Sequence, residues 1–232
     1  MVHIAGGDYF SAKDKKTHPL APFWLDRTEV TVKSYRAFVA AGNPPPHAPG
    51  EAKQSGLVCT WGLPDNDELP INCIDWHQAD AYCRWAGKRL PTAQEWGWAA
   101  QGRDEDRRYP WGDAKPSCDL AVIDQDRTDA VMGCGRNQPW PVGTKPTDVT
   151  RDAVLDMFGN VGEPTSSGFN ADEKSTRVGK GPPGRPPHRN GRRSTSSVGT
   201  WSGSPGGTEL GFGVQRRVSQ PGAPNAPPCQ SK

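Results

Sequence analysis

Apolar positions recur at helical spacing in two long stretches of the chain and cluster at strand-like spacing near its start. In "TVKSYRAFVAAG", Val32, Tyr35, Phe38 and Val39 share one face of a 3.6-residue period. Thr31 stands where an N-cap belongs and Gly42 where a helix stops, so a helix is predicted between them. Further on, Ala79, Tyr82, Cys83 and Ala86 make a second stripe between Asp75 and Gly87, and Asp75 with Gln78 has the spacing of a capping box. Thr92 and Glu95 repeat that spacing and open a third helix that closes at Gly102. Two capped helices joined by "KRLP" predict a tight corner. "HIAGGDYFSA" and "APFWLDRTEV" carry β-branched and aromatic residues bounded by Gly or Pro, and each reads as a strand. Residues 43–70 are proline-rich and without period, which predicts a long irregular excursion.

Composition agrees with a loop-rich α+β chain rather than a bundle. Only 33% of the 232 residues are hydrophobic, against 27 Gly and 24 Pro, and nine Trp must supply much of the core area. A net charge of +2 makes no general case for nucleic acid or for a membrane surface. No run of about 18 apolar residues exists to span a bilayer, and "MVHIAGGDYF" lacks the basic and apolar regions of a signal peptide. A soluble chain is therefore expected, and a Met directly before the first strand suggests a domain cut from a longer polypeptide. One domain is expected over residues 1–218, followed by a Pro-rich, disordered tail over 219–232.

The six cysteines, at 59, 73, 83, 118, 134 and 229, match no zinc pattern, since there is no CxxC and no paired His. Cys59 with Cys73 and Cys118 with Cys134 each bracket a short loop-like segment. Two local disulfides are one reading and would place the chain outside the cytoplasm, while six reduced thiols are the other.

"LDRTEVTVKSYRAFV", "LPINCIDWHQADAYCRWAGKRLPTAQEW", "YPWGD" and "LDMFGNV" follow one another as the signatures of the sulfatase-modifying-factor family do. Over residues 4–165 the chain thus resembles formylglycine-generating enzymes and their relatives, and "LGFGVQRRV" resembles the closing strand of that family. The resemblance implies an irregular, loop-rich α+β fold related to C-type lectin domains. It also marks "KRLPTAQEW" and "YPWGD" as fold determinants, with Arg89 and Trp96 as residues able either to line a pocket or simply to pack.

Departures from the family pattern decide the chemistry expected. After "GNV" the family continues Trp-Glu-Trp-Thr, whereas this chain has Gly162, Glu163, Pro164 and Thr165. In formylglycine-generating enzymes a later cysteine pair binds copper(I) and activates oxygen; here those positions fall near Arg185 and Asn190, and no cysteine lies between Cys134 and Cys229. Copper(I) requires soft thiolates, so copper is not expected. A second branch of the family uses non-haem iron, which needs clustered histidines or two His and a carboxylate. His3, His18, His47, His77 and His188 show no short pairing, and no iron site is expected. What the resemblance does carry over is a structural calcium site: the Asp156 side chain, the Gly159 and Val161 carbonyls and the Glu163 carboxylate match its ligands one by one. Such a set of hard oxygen donors in a tight loop suits calcium, and a plain turn with two solvated acids is the alternative. A second family calcium site falls near Asp119 and Leu120, where the spacing is altered.

Residues 162–207 are atypical. From Gly179 to Gly207 the only large apolar residues are Val198 and Trp201, while Arg177, Lys180, Arg185, Arg189, Arg192 and Arg193 lie in a stretch free of acids. A basic binding arm, a disordered solvated loop and a local shift of the coding frame all produce this composition. The function expected is a non-catalytic or degenerate module that binds an unidentified protein, small-molecule or glycan ligand, or serves as structure, with a calcium-stabilised loop. The alternative is a formylglycine-generating-type oxidoreductase acting on a cysteine of a sulfatase-like protein.

Overall fold

The computed structural model describes residues 1–11, 15–46, 58–123 and 133–168, together with the backbone of 177–180 and 218–219. Four short strands occupy the start of the chain: β1 (Val2–Ile4), β2 (Gly7–Ser11), β3 (Lys16–Leu20) and β4 (Phe23–Leu25). Three more follow late, β5 (Glu163–Gly168), β6 (Arg177–Lys180) and β7 (Val218–Ser219). β4 lies between β1 and β7 in one antiparallel sheet, β2 pairs with β3, and β5 pairs with β6. The outcome is the irregular α+β architecture expected.

Strand boundaries differ from the sequence reading for reasons the backbone makes plain. "HIAGGDYFSA" is two strands, because the chain changes partner at Ala5–Gly6, from β4 to β3. At Gly6 a Cβ would lie 2.3 Å from the Leu20 carbonyl oxygen, so only glycine permits the crossing. The strand expected in "APFWLDRTEV" contracts to Phe23–Leu25, where burial alternates strictly: Phe23 and Leu25 inward, Trp24 outward against the edge of His3 at 5.2 Å. β3 went unforeseen since "KTHPL" has a strand's length and neither its alternation nor its residue types.

The helices follow their caps. α1 (Val32–Ala40) starts where Thr31 accepts the Ser34 N–H at 3.2 Å and buries Val32, Tyr35 and Phe38. α2 (Trp76–Trp85) and α3 (Ala93–Ala100) both open on complete capping boxes, Asp75 with Gln78 and Thr92 with Glu95. Gly87 and Gly102 turn left-handed just after them, at φ 69° in each case.

Two apolar clusters result. One joins α1 to α2 through Val32, Tyr35, Phe38, Ala79, Tyr82 and Cys83, closed by Ile71, Ile74 and Leu90. Tyr35 stacks on Tyr82 with ring centroids 5.3 Å apart, and burial pushes its hydroxyl pKa up. The other sets Ile4, Phe23 and Leu25 of the first sheet under Trp96 and Trp98 of α3, with Val154 and Met157 completing it. Contact there is close: a Cβ at Gly7 would meet the Trp98 ring and one at Gly97 the Tyr9 ring. Met157 brings the segment 156–163 into this second core.

Cys59–Cys73 and Cys118–Cys134 are both disulfide-bonded, and Cys83 is a buried thiol. The first bond closes the irregular excursion, where Asn72 also receives the Thr60 N–H and donates to the Val58 carbonyl. Among the described residues no helix is long and apolar enough to cross a membrane. Of the atypical window, Glu163–Gly168 and Arg177–Lys180 pair as β5 and β6; residues 169–176 and 181–207, and the tail beyond Ser219, lie outside the described residues.

Candidate functional site

The corner between α2 and α3 is a fixed platform. Arg89 places both guanidinium nitrogens on Glu95, at 2.8 and 2.6 Å, and Lys88 reaches Asp26 at 2.8 Å. Burial pushes the Glu95 carboxyl up, but the Arg89 hydrogen bond, the Thr92 backbone N–H and the guanidinium charge outweigh it and hold the pKa below the usual range. The same hydrogen bond raises the Arg89 pKa. Of the two residues that sequence left between pocket and packing, Trp96 is buried in the second core, while Arg89, partly exposed, pairs with Glu95.

β5 is strapped onto this platform. Ser166 donates its N–H to the Pro91 carbonyl at 2.8 Å, the Ser167 hydroxyl accepts the Ala93 N–H at 3.0 Å, and Trp76 donates its indole N–H to the Thr165 carbonyl at 2.9 Å. At the head of the strand, Glu163 is 2% exposed and accepts the indole N–H of Trp96.

The loop leading into β5 is held from three sides. Asp156, 3% exposed and left-handed at φ 56°, accepts the Gly143 N–H on Oδ2 at 2.6 Å. Asn160, left-handed at φ 68°, accepts the Trp140 N–H and returns its amide to the Trp140 carbonyl at 2.9 and 3.1 Å. Asp and Asn tolerate such φ values better than other residues with side chains do. On the second side, Asn160 donates its own N–H to the Val122 carbonyl at 2.8 Å, and a Cβ on Gly159 would fall 2.3 Å from that oxygen. On the third side stands Asp148, whose carboxylate accepts the N–H groups of Phe158 and Gly159 at 3.1–3.2 Å. Tyr109 and Trp111 of "YPWGD" stack at 5.3 Å and buttress Phe158 edge-on, consistent with a role in the fold.

Of the four positions that sequence assigned to a metal, Asp156 faces the 140–143 strip, Gly159 rests on Val122, Val161 is half-buried, and Glu163 faces α3. Asp148 was missed. It sits in an unpatterned stretch, and nothing near it in sequence marks a side chain that works ten residues away. At the altered second position, the Leu120 carbonyl is occupied by the Thr147 hydroxyl at 2.6 Å. His3, His18 and His77 lie on β1, β3 and α2, and among the described residues no three His, Cys, Asp or Glu side chains gather as a metal cluster. His47, His188, Arg185 and Asn190 are outside the described residues.

Comparison with known proteins agrees with this architecture. A family model described as the sulfatase-modifying factor enzyme 1-like domain matches residues 1–217. The inactive C-alpha-formylglycine-generating enzyme 2 of Mus musculus is 27% identical over 237 residues, spanning 78% of this chain and 73% of that protein. A hercynine oxygenase of Mycolicibacterium smegmatis is 30% identical over 205 residues, which cover 72% of this chain but only 45% of the oxygenase. The structure of PvdO from Pseudomonas aeruginosa superposes with a TM-score of 0.54 at 21% identity, over 72% of this chain and 70% of PvdO, a likeness of fold.

Proposed function

The chain belongs to the sulfatase-modifying factor enzyme 1-like family, and from that premise we propose that it is a non-catalytic member, a ligand-binding or structural module whose 156–163 loop holds a calcium ion. The observation that carries the first half is the cysteine-free stretch between Cys134 and Cys229. Copper(I) oxidation of a substrate cysteine needs two soft thiolates, and the residues at the matching positions, near Arg185 and Asn190, are a hard cation and an amide. The mouse relative, matched over most of both chains, is itself named inactive.

The donor chemistry supports the second half. Asp156 and Glu163 would supply carboxylate oxygens and Gly159 and Val161 carbonyl oxygens, the hard ligands calcium takes. Both carboxylates are nearly out of water, and Asp156 meets an uncharged backbone N–H. Buried anions require compensation, which a bound divalent cation would provide. The two disulfides fit an oxidising compartment, and we place the protein outside the cytoplasm on that ground.

Thermal melts in excess calcium and in a chelator test the calcium reading. At about 100 times Kd the ion adds about 2.7 kcal/mol, which for a domain of this size raises Tm by about 5–10 °C. Asp156→Ala and Glu163→Ala should each abolish the shift. A cooperative wild-type transition indifferent to calcium overturns the reading, and conversion of a peptide cysteine to formylglycine by the purified protein overturns the non-catalytic assignment.

A further inference from the structure

We infer that Asp148, outside the four ligand positions, is the residue that positions the loop for its cation; the inference rests on the calcium reading above. Asp148 is 1% exposed and opens a narrow hairpin in which Val149 bridges Leu155, Thr150 exchanges bonds with Val154, and Ala153 turns at φ 61°. The turn returns the chain so that three N–H groups converge on this one residue. Its carbonyl accepts the Asp156 N–H at 2.9 Å, and its carboxylate accepts those of Phe158 and Gly159.

Peptide planarity converts these bonds into carbonyl directions. In a trans peptide the C=O points opposite to the N–H of the next residue. With the Gly159 N–H turned to Asp148, the Phe158 carbonyl is turned away from it. With the Asn160 N–H on Val122, the Gly159 carbonyl is turned away from Val122. Gly159 is therefore pinned on both flanking peptides, while its Cα is pressed against the Val122 oxygen. A carbonyl ligand whose direction is set before the ion arrives loses less freedom on binding it; the Val122 bond fixes the peptide that carries the Gly159 carbonyl, and Asp148 fixes the peptide before it, so that the Gly159 backbone is held on both sides. Asp148 does so at a distance from the ion, since its own oxygens face N–H groups. Residues that orient ligands in this way typically carry about a 10–100-fold share of metal affinity.

The experiment is a calcium titration by calorimetry on the whole chain, at a temperature where every variant is folded, paired with melts in chelator. Asp148→Asn keeps the size of the side chain, replaces one acceptor by a donor that opposes the loop amides, and should weaken calcium binding about 10–100-fold. Thr150→Ala loosens the same hairpin without touching the 158 and 159 amides, and should lower Tm in both buffers while leaving Kd unchanged. Wild-type affinity in Asp148→Asn overturns the positioning role and leaves the calcium site standing. Absence of calcium binding in the wild type overturns the site and this inference together. Should Asp148→Asn fail to fold, amide exchange in the wild type decides: calcium should slow exchange at Phe158 and Gly159, and unchanged exchange there overturns the role.

Discussion

Glu95 at the α2–α3 corner and Asp156 in the loop before β5 are both buried acids, but Glu95 faces the Arg89 guanidinium and Asp156 the Gly143 N–H. Each helix of the corner carries its own cap, and the corner's acid meets a full positive charge supplied six residues away. Its stability is closed within the protein. The loop draws instead on backbone dipoles of Val122, Trp140 and Gly143 and on a second acid, Asp148, and in the calcium reading its charge is completed from outside. A self-contained platform carrying a conditional loop is what that difference describes, and changes of three kinds separate the two.

Trp96 stands where they join, in the second core and as donor to Glu163, so it has the largest expected effect. Trp96→Ala removes a large buried ring and should cost about 3–5 kcal/mol in denaturant unfolding. Trp96→Phe keeps most of the volume but leaves Glu163 without its indole donor, and should cost about 1–3 kcal/mol. Equal costs for the two would mean that the polar contact, rather than packing, joins corner to loop.

The same contrast governs what the sequence made legible. Caps at Thr31, Asp75 and Thr92 act over three residues, and all three helices appear where those signals stand. Both disulfide pairs were likewise readable from short brackets. β3 and the break at Ala5–Gly6 were not, because a two-stranded hairpin is defined by its partner, and Gly6 is required by a carbonyl fourteen residues on. Within the candidate site, Asp156 and Glu163 could be named from a family signature, whereas Asp148 and Val122 serve the loop only through the fold of the intervening chain. Their residue types carry no mark of the task.

Removing a disulfide sharpens the comparison next. Cys118–Cys134 holds the segment bearing Val122, for Cys134 donates its N–H to the Ile123 carbonyl at 2.9 Å. Cys59–Cys73 closes a loop of similar length on the α1–α2 side. Chain entropy predicts about 3 kcal/mol lost for either pair changed to serine. Only the Cys118→Ser/Cys134→Ser protein should also show a diminished calcium shift in its melt. A shift equally diminished in both would show that the loop responds to overall stability and not to the Val122 shelf.

The corner can be broken alone through Arg89, with the smallest effect of the three. Arg89→Met strips the charge from a contact in which the arginine side chain is 35% exposed and the Glu95 side chain 11%. Partial screening by water limits the cost, about 1–3 kcal/mol near neutral pH. Its pH dependence is diagnostic. The folded Glu95 pKa is lowered, so the stability it contributes is fully present above the unfolded value, about 4.3, and is lost as pH falls through the lower folded value. Without Arg89, burial is opposed only by Thr92, the folded pKa moves up, and that acid-sensitive contribution shrinks. Unfolding free energies of wild type and Arg89→Met, followed by urea titration from neutral to acid pH, should therefore lie farthest apart near neutral pH and converge as the pH falls through the lowered folded value of Glu95. The calcium shift should survive in the variant at neutral pH. A gap that stays constant with pH would mean that Arg89 acts through its packing, and a lost calcium shift would mean that corner and loop are one cooperative unit.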